Sequence, residues 1–146
     1  MTNWKNKVKF INSRQIVGSD GDEHSLYGPE LVNDGVFNVP AAWNLGVGWS
    51  VAGGILNAIN VANGTWTWQN CSFVVGRTYR TEFTILNYVS GQVKLYIGSG
   101  GAGSPRFANG TYLQHIVCAL NNQVQIYSSA AGGNYQVDNL SVRLIY

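Results

Sequence analysis

Thr78-Tyr79-Arg80-Thr81-Glu82-Phe83-Thr84-Ile85 alternates along its length. Tyr79, Phe83 and Ile85 fall on one side, while Arg80, Glu82 and Thr84 fall on the other. A period of two, built from aromatic and β-branched residues, predicts a half-buried strand, because successive side chains of an extended chain point to opposite faces. Gln92-Val93-Lys94-Leu95-Tyr96-Ile97 repeats the pattern with Val93, Leu95 and Ile97 inward. Asn122-Gln123-Val124-Gln125-Ile126-Tyr127 does the same, and Val137-Asp138-Asn139-Leu140-Ser141-Val142 follows with a looser alternation. Between these runs lie turn clusters such as Ala62-Asn63-Gly64, Val75-Gly76-Arg77, Ser90-Gly91, Ala108-Asn109-Gly110 and Gly132-Gly133-Asn134. Helical periodicity is nearly absent. Short strands punctuated this regularly predict an all-β protein, a sandwich or barrel with two antiparallel sheets.

The chain of 146 residues fits one domain. Only 11% of its residues are charged, against about 25% in an average protein, so amides and hydroxyls supply the polarity. The few charges are unevenly placed: nine fall in residues 1–34 and seven in residues 35–146. A net charge of +2 is too weak a field to attract nucleic acid or an acidic membrane. No run approaches the length of a membrane span, and the N-terminus shows no secretory signal, which sets the expectation of synthesis in a cytoplasm. The expected division is an N-terminal arm or extra strand over residues 1–31 and a β-domain over residues 32–146. Trp4, Val8, Phe10 and Ile11 are the arm's apolar contacts, suited to adding a strand or clamp across a neighbour. Cys71 and Cys118 lack metal-ligand spacing and read as two buried thiols, with a disulfide between them left open.

Catalytic chemistry finds little to work with. After residue 34 the only carboxylates are Glu82 and Asp138 and the only histidine is His115. Hydrolysis by acid and base needs two positioned carboxylates or a His-activated nucleophile, so no catalytic residue is assigned and the chain is read as not an enzyme. Gly98-Ser99-Gly100-Gly101-Ala102-Gly103 formally satisfies G-x-G-x-x-G. Ser104-Pro105-Arg106-Phe107 follows where a helix must receive the pyrophosphate, so a flexible sheet-to-sheet loop is expected instead. The aromatic excess is more informative. Trp66 and Trp68 lie two apart and therefore share one face of a strand, which leaves two readings: an exposed platform or a pair of core residues. Tyr96 and Tyr127 take outward positions by alternation. Flat rings on an exposed sheet stack against the apolar faces of pyranose rings while amides meet the hydroxyls, so Trp66, Trp68, Tyr96 and Tyr127 are the candidate carbohydrate-binding set.

Several short motifs then occur in order. Asn33-Asp34-Gly35-Val36-Phe37, Ala42-Trp43 and Gly48-Trp49-Ser50-Val51-Ala52-Gly53-Gly54 come first. Val75-Gly76-Arg77-Thr78-Tyr79 leads into the central strand, and Gly110-Thr111-Tyr112 and Tyr135-Gln136-Val137-Asp138-Asn139-Leu140-Ser141-Val142 close the series. Together they resemble carbohydrate-binding modules of the family 4/9 type over residues 31–146. The resemblance implies a jelly-roll β-sandwich. It also implies a structural calcium between the first and last strands, with Asp138 at the acidic ligand position and Asn33 and Asp34 as further oxygen donors; a plain turn-capping role for Asp138 is the alternative. No other cofactor is called for.

Modules of this kind recur in bacteriophage structural proteins, as decoration or cement subunits, head fibres and tail adhesins. A weakly charged body behind a charged arm suits close packing between copies, because no ionic desolvation has to be offset. The leading expectation is therefore a non-enzymatic capsid decoration subunit on the virion surface. Its partners are further copies of itself, with a trimer the first expectation, and the major capsid or another virion protein. The alternative is a glycan-binding adhesin module whose partner is a cell-surface glycan.

Overall fold

The computed structural model describes residues 26–146. Eight strands account for about half of them: β1 (Trp49–Ala52), β2 (Ile55–Val61), β3 (Trp66–Asn70), β4 (Thr78–Ser90), β5 (Val93–Ile97), β6 (Gly110–Val117), β7 (Gln123–Ser128) and β8 (Gly133–Leu144). A 3-10 turn, Pro40–Ala42, precedes them. The strands form two antiparallel sheets, one of five in the order β1-β2-β8-β4-β6 and one of three in the order β3-β7-β5. The all-β, two-sheet expectation holds, and the arrangement is a jelly-roll sandwich.

The alternating residues fill the space between the sheets. Tyr79, Phe83 and Ile85 of β4 face Val93, Leu95 and Ile97 of β5 and Val124 and Ile126 of β7, all essentially removed from water. Each such side chain contributes roughly 1.5–3 kcal/mol relative to an exposed one, so these eight alone are a large share of the driving force for folding. Trp43 and Trp49 extend this core toward one end: Trp43 lies against Phe37 at 5.1 Å and Trp49 meets Tyr135 edge-on at 5.9 Å.

The loose alternation of the last strand has a local cause. On β8, Val137, Leu140 and Val142 are buried, a step of three and then two. Asn139 sits between at φ 53°, and the pairing with β4 slips between Glu82↔Ser141 and Thr84↔Asp138. Asn139 is therefore the extra residue of a bulge, and asparagine tolerates the left-handed conformation better than most residues.

Residues 26–31 run along the C-terminal half of β8. Gly28 N–H donates to the Leu144 carbonyl at 2.9 Å and Leu31 N–H to the Val142 carbonyl at 3.0 Å, while Tyr27 bridges Ile145. The Glu30 carboxylate clamps this join. Its Oε1 accepts from the N–H groups of Leu31, Val32 and Val142 at 2.8–3.1 Å, and its Oε2 accepts from the Ser141 hydroxyl at 2.6 Å. Trp4, Val8, Phe10 and Ile11 lie outside the described residues. The glycine-rich loop after β5 is followed by no helix. It folds back along β5, with Gly103 N–H donating to the Leu95 carbonyl and Arg106 exchanging backbone bonds with Val93. It thus flanks the three-stranded sheet before passing to β6 of the other sheet, the sheet-to-sheet connection read from the sequence.

Candidate functional site

Antiparallel pairing sets side chains of opposed residues on the same face, so the register of β3-β7-β5 writes out the surface of the smaller sheet. Trp66 is opposite Tyr127, which is opposite Lys94; one step on, Trp68 is opposite Gln125, which is opposite Tyr96; then Asn70 is opposite Gln123. Thr67 and Gln69, which alternate with the tryptophans, are buried. The open choice at Trp66 and Trp68 is thereby decided: both point away from the core, with Trp66 41% exposed and Trp68 half-buried. All four residues of the candidate carbohydrate-binding set share one outer face.

The rings make a continuous surface. Trp66 and Tyr127 lie 5.9 Å apart with only 20° between their planes, and Tyr96 stands edge-on to Tyr127 at 5.2 Å. Such contacts hold rings in fixed orientations and stabilise each pair by about 0.5–1.5 kcal/mol, so the surface is formed before any ligand arrives. Gln125 runs between Trp68 and Tyr96, its Nε2 donating to Gln123 Oε1 at 3.0 Å. The Lys94 ammonium reaches along the face to 6.0 Å from the centre of the Tyr96 ring. Aromatic planes beside oriented amides and one cation are the groups that bind a sugar: the rings take its C–H face, and the amides and ammonium take its oxygens.

A groove borders this surface at the β3 edge. Asn44 exchanges two backbone hydrogen bonds with Trp68, at 2.9 and 3.0 Å, and so carries the loop Leu45-Gly46-Val47 along the strand. A Cβ on Gly46 would come within 2.5 Å of the Trp66 carbonyl, so only glycine lets the loop close this tightly. The groove holds about 300 Å³ between Asn44, Leu45 and Val47 on one side and Trp66 and Trp68 on the other. Leu45 and Val47 are exposed there. Sequence reasoning missed this wall, since nothing local tells that residues 44–47 lie against residues 66–68.

The residues implied for calcium each already hold hydrogen bonds within the fold. Both oxygens of Asp34 accept backbone N–H groups, Oδ1 from Asn38 at 2.8 Å and Oδ2 from Val39 at 2.7 Å. The backbone of Asn33 is clasped on both sides by the Gln69 side chain, at 2.7 and 2.9 Å. Asp138 Oδ1 accepts from the N–H of the bulge residue Asn139 at 2.8 Å, within β8 and not at a turn. Among the described residues no three His, Cys, Asp or Glu side chains come together. The join between the start of the domain and the last strand is made by Glu30, a residue that the motif comparison did not single out.

On the five-stranded sheet, Glu82 pairs with Arg80 at 3.3 Å, the surface ion pair expected of neighbours on one strand face. His115 is exposed on β6, opposite Arg80. Cys71 and Cys118 are both free thiols buried in the sandwich, and burial pushes the Cys71 thiol up to about 12.

No family model matches the chain, and no curated protein matches it. Among solved structures it is similar to a CBM4 module (14% identity, TM-score 0.48, covering 77% of this chain and 99% of that one). It is also similar to the mannan-binding module of Man5C (19% identity, TM-score 0.48, 73% and 93%). A third is the C-terminal CBM6 of the laminarinase LamC from Zobellia galactanivorans (16% identity, TM-score 0.42, 62% and 80%). All three are carbohydrate-binding modules, the class that the sequence motifs resemble.

Proposed function

We propose that this chain is a non-catalytic glycan-binding module whose binding surface is the outer face of β3-β7-β5. One observation carries the reading: Trp66, Tyr127, Tyr96 and Trp68 share that face, with Trp66 and Tyr127 within 20° of parallel. Exposed aromatics cost solubility and are normally withdrawn from water. Here two tryptophans are turned outward while Thr67 and Gln69, which alternate with them, take the interior positions. That inversion makes little sense for folding alone and is what a sugar platform requires.

The capsid decoration role, which led the sequence expectations, takes second place. Its support was the sparse charge of the body and the residue 1–31 arm, and neither accounts for the aromatic face. Assembly into a homo-oligomer and attachment to a virion rest on the same two features. A binding screen of the full chain against an oligosaccharide array, repeated with Trp66→Ala, tests the proposal. Binding that disappears in the variant, with its melting curve still cooperative, supports it. An array without a single bound glycan refutes it.

A further inference from the structure

We infer that the saccharide taken by this face is acidic, bearing a carboxylate or sulfate group that pairs with Lys94; the inference rests on the glycan-binding reading above. It comes from where the charges lie. The described residues hold four carboxylates, Glu30, Asp34, Glu82 and Asp138. Glu82 and Asp138 are on β4 and β8 of the five-stranded sheet, Glu30 is clamped to β8, and Asp34 is spent on its own turn. None lies on β3, β7 or β5. Glu30 and Glu82 are also the carboxylates that Arg143 and Arg80 approach, at 3.9 and 3.3 Å, so the larger sheet is close to neutral.

The aromatic face has no such balance. Lys94 stands in the same row as Trp66 and Tyr127, and among the described residues no carboxylate lies within ion-pair distance of it. Its ammonium is held over the Tyr96 ring, 6.0 Å from the ring centre. Arg106, in the segment that flanks β5, is likewise without a carboxylate partner among the described residues; it stacks on Tyr112 at 4.8 Å. A cation with no carboxylate partner among the described residues, at the end of an aromatic row on a sheet whose strands carry no carboxylate, is a recognition group for an anion. A sugar stacked on Trp66 and Tyr127 would bring the acidic group of an adjoining unit to Lys94, since these three residues sit on neighbouring strands separated by about 5 Å, close to the length of one pyranose.

The experiment is an array carrying neutral oligosaccharides beside uronate-containing and sulfated ones, probed with the full chain, Lys94→Met, Lys94→Arg and Trp66→Ala. Bound glycans should be confined to the acidic set. Uronates alone, or sulfates alone, would identify which anion is read. Affinity should fall about fivefold in Lys94→Met, the scale of one exposed ion pair, and be largely kept in Lys94→Arg. It should also weaken as salt is raised to about 0.5 M, where charges are screened within a few ångströms; this last measurement needs no variant. Binding of neutral glycans that is lost in Trp66→Ala but indifferent to Lys94→Met and to salt would overturn the acidic assignment and leave the platform standing. An array with no bound glycan would overturn both.

Discussion

Trp66→Ala should remove glycan affinity and leave a folded protein. A tryptophan side chain presents up to about 250 Å², and Trp66 is 41% exposed, which leaves about 100 Å² open to a ligand. A sugar ring covering half to all of that surface removes about 50–100 Å² from water. At about 25 cal/mol per Å² this is worth roughly 1.3–2.5 kcal/mol, or about tenfold to seventyfold in affinity. Trp49 supplies the contrast. It is 5% exposed, packs edge-on to Tyr135, and donates its indole N–H to Thr65 Oγ1 at 3.2 Å. Alanine there opens a core cavity and costs about 3–5 kcal/mol of stability, whereas Trp66→Ala should cost less, because two-fifths of that side chain is already in water. Isothermal titration against the best array glycan and thermal melting followed by circular dichroism separate the two effects. If Trp66→Ala binds as tightly as the parent, or melts as low as Trp49→Ala, the argument that this ring is a surface platform is wrong.

Glu30→Ala should lower stability by about 1–3 kcal/mol, since three backbone N–H groups and the Ser141 hydroxyl lose one shared acceptor; an unchanged denaturation midpoint would show that water replaces the carboxylate without loss. A chelator should leave the melting temperature where it is, because Asp34 and Asp138 are already engaged by backbone N–H groups; a fall of several degrees that Asp138→Ala abolishes would restore the calcium site. At alkaline pH the protein should lose stability. Burial raises the Cys71 thiol from about 9 to about 12 and the Tyr135 phenol from about 10 to about 12. The folded state therefore retains protons that the unfolded chain has released. Stability is whole below about pH 9 and declines as pH climbs toward 12; Cys71→Ala should flatten the first part of that decline, and a flat profile in the parent would contradict it.

The strands and the residues they bury were legible from order alone. Tyr79, Phe83 and Ile85 point inward, as do Val93, Leu95 and Ile97, because the two-residue period is a property of the extended backbone and acts within a few positions. The same local rule put Tyr96 and Tyr127 outward. It could not choose a side for Trp66-Thr67-Trp68, where either alternation is chemically sensible and the short strand offers no longer pattern to follow. That choice was made by pairing with β7, some 60 residues later, which set Trp66 against Tyr127 and turned Thr67 inward. Glu30 and its bond to Val142 N–H, 112 positions apart, left no trace in the sequence for the same reason, and neither did the wall that residues 44–47 raise beside β3. Alternation is written along the chain, whereas register, facing and clamps depend on which distant segments pair. The sequence therefore determined a two-sheet β-protein and its core, and the tertiary structure alone assembled four scattered aromatics, a pair of glutamines and one lysine into a single face.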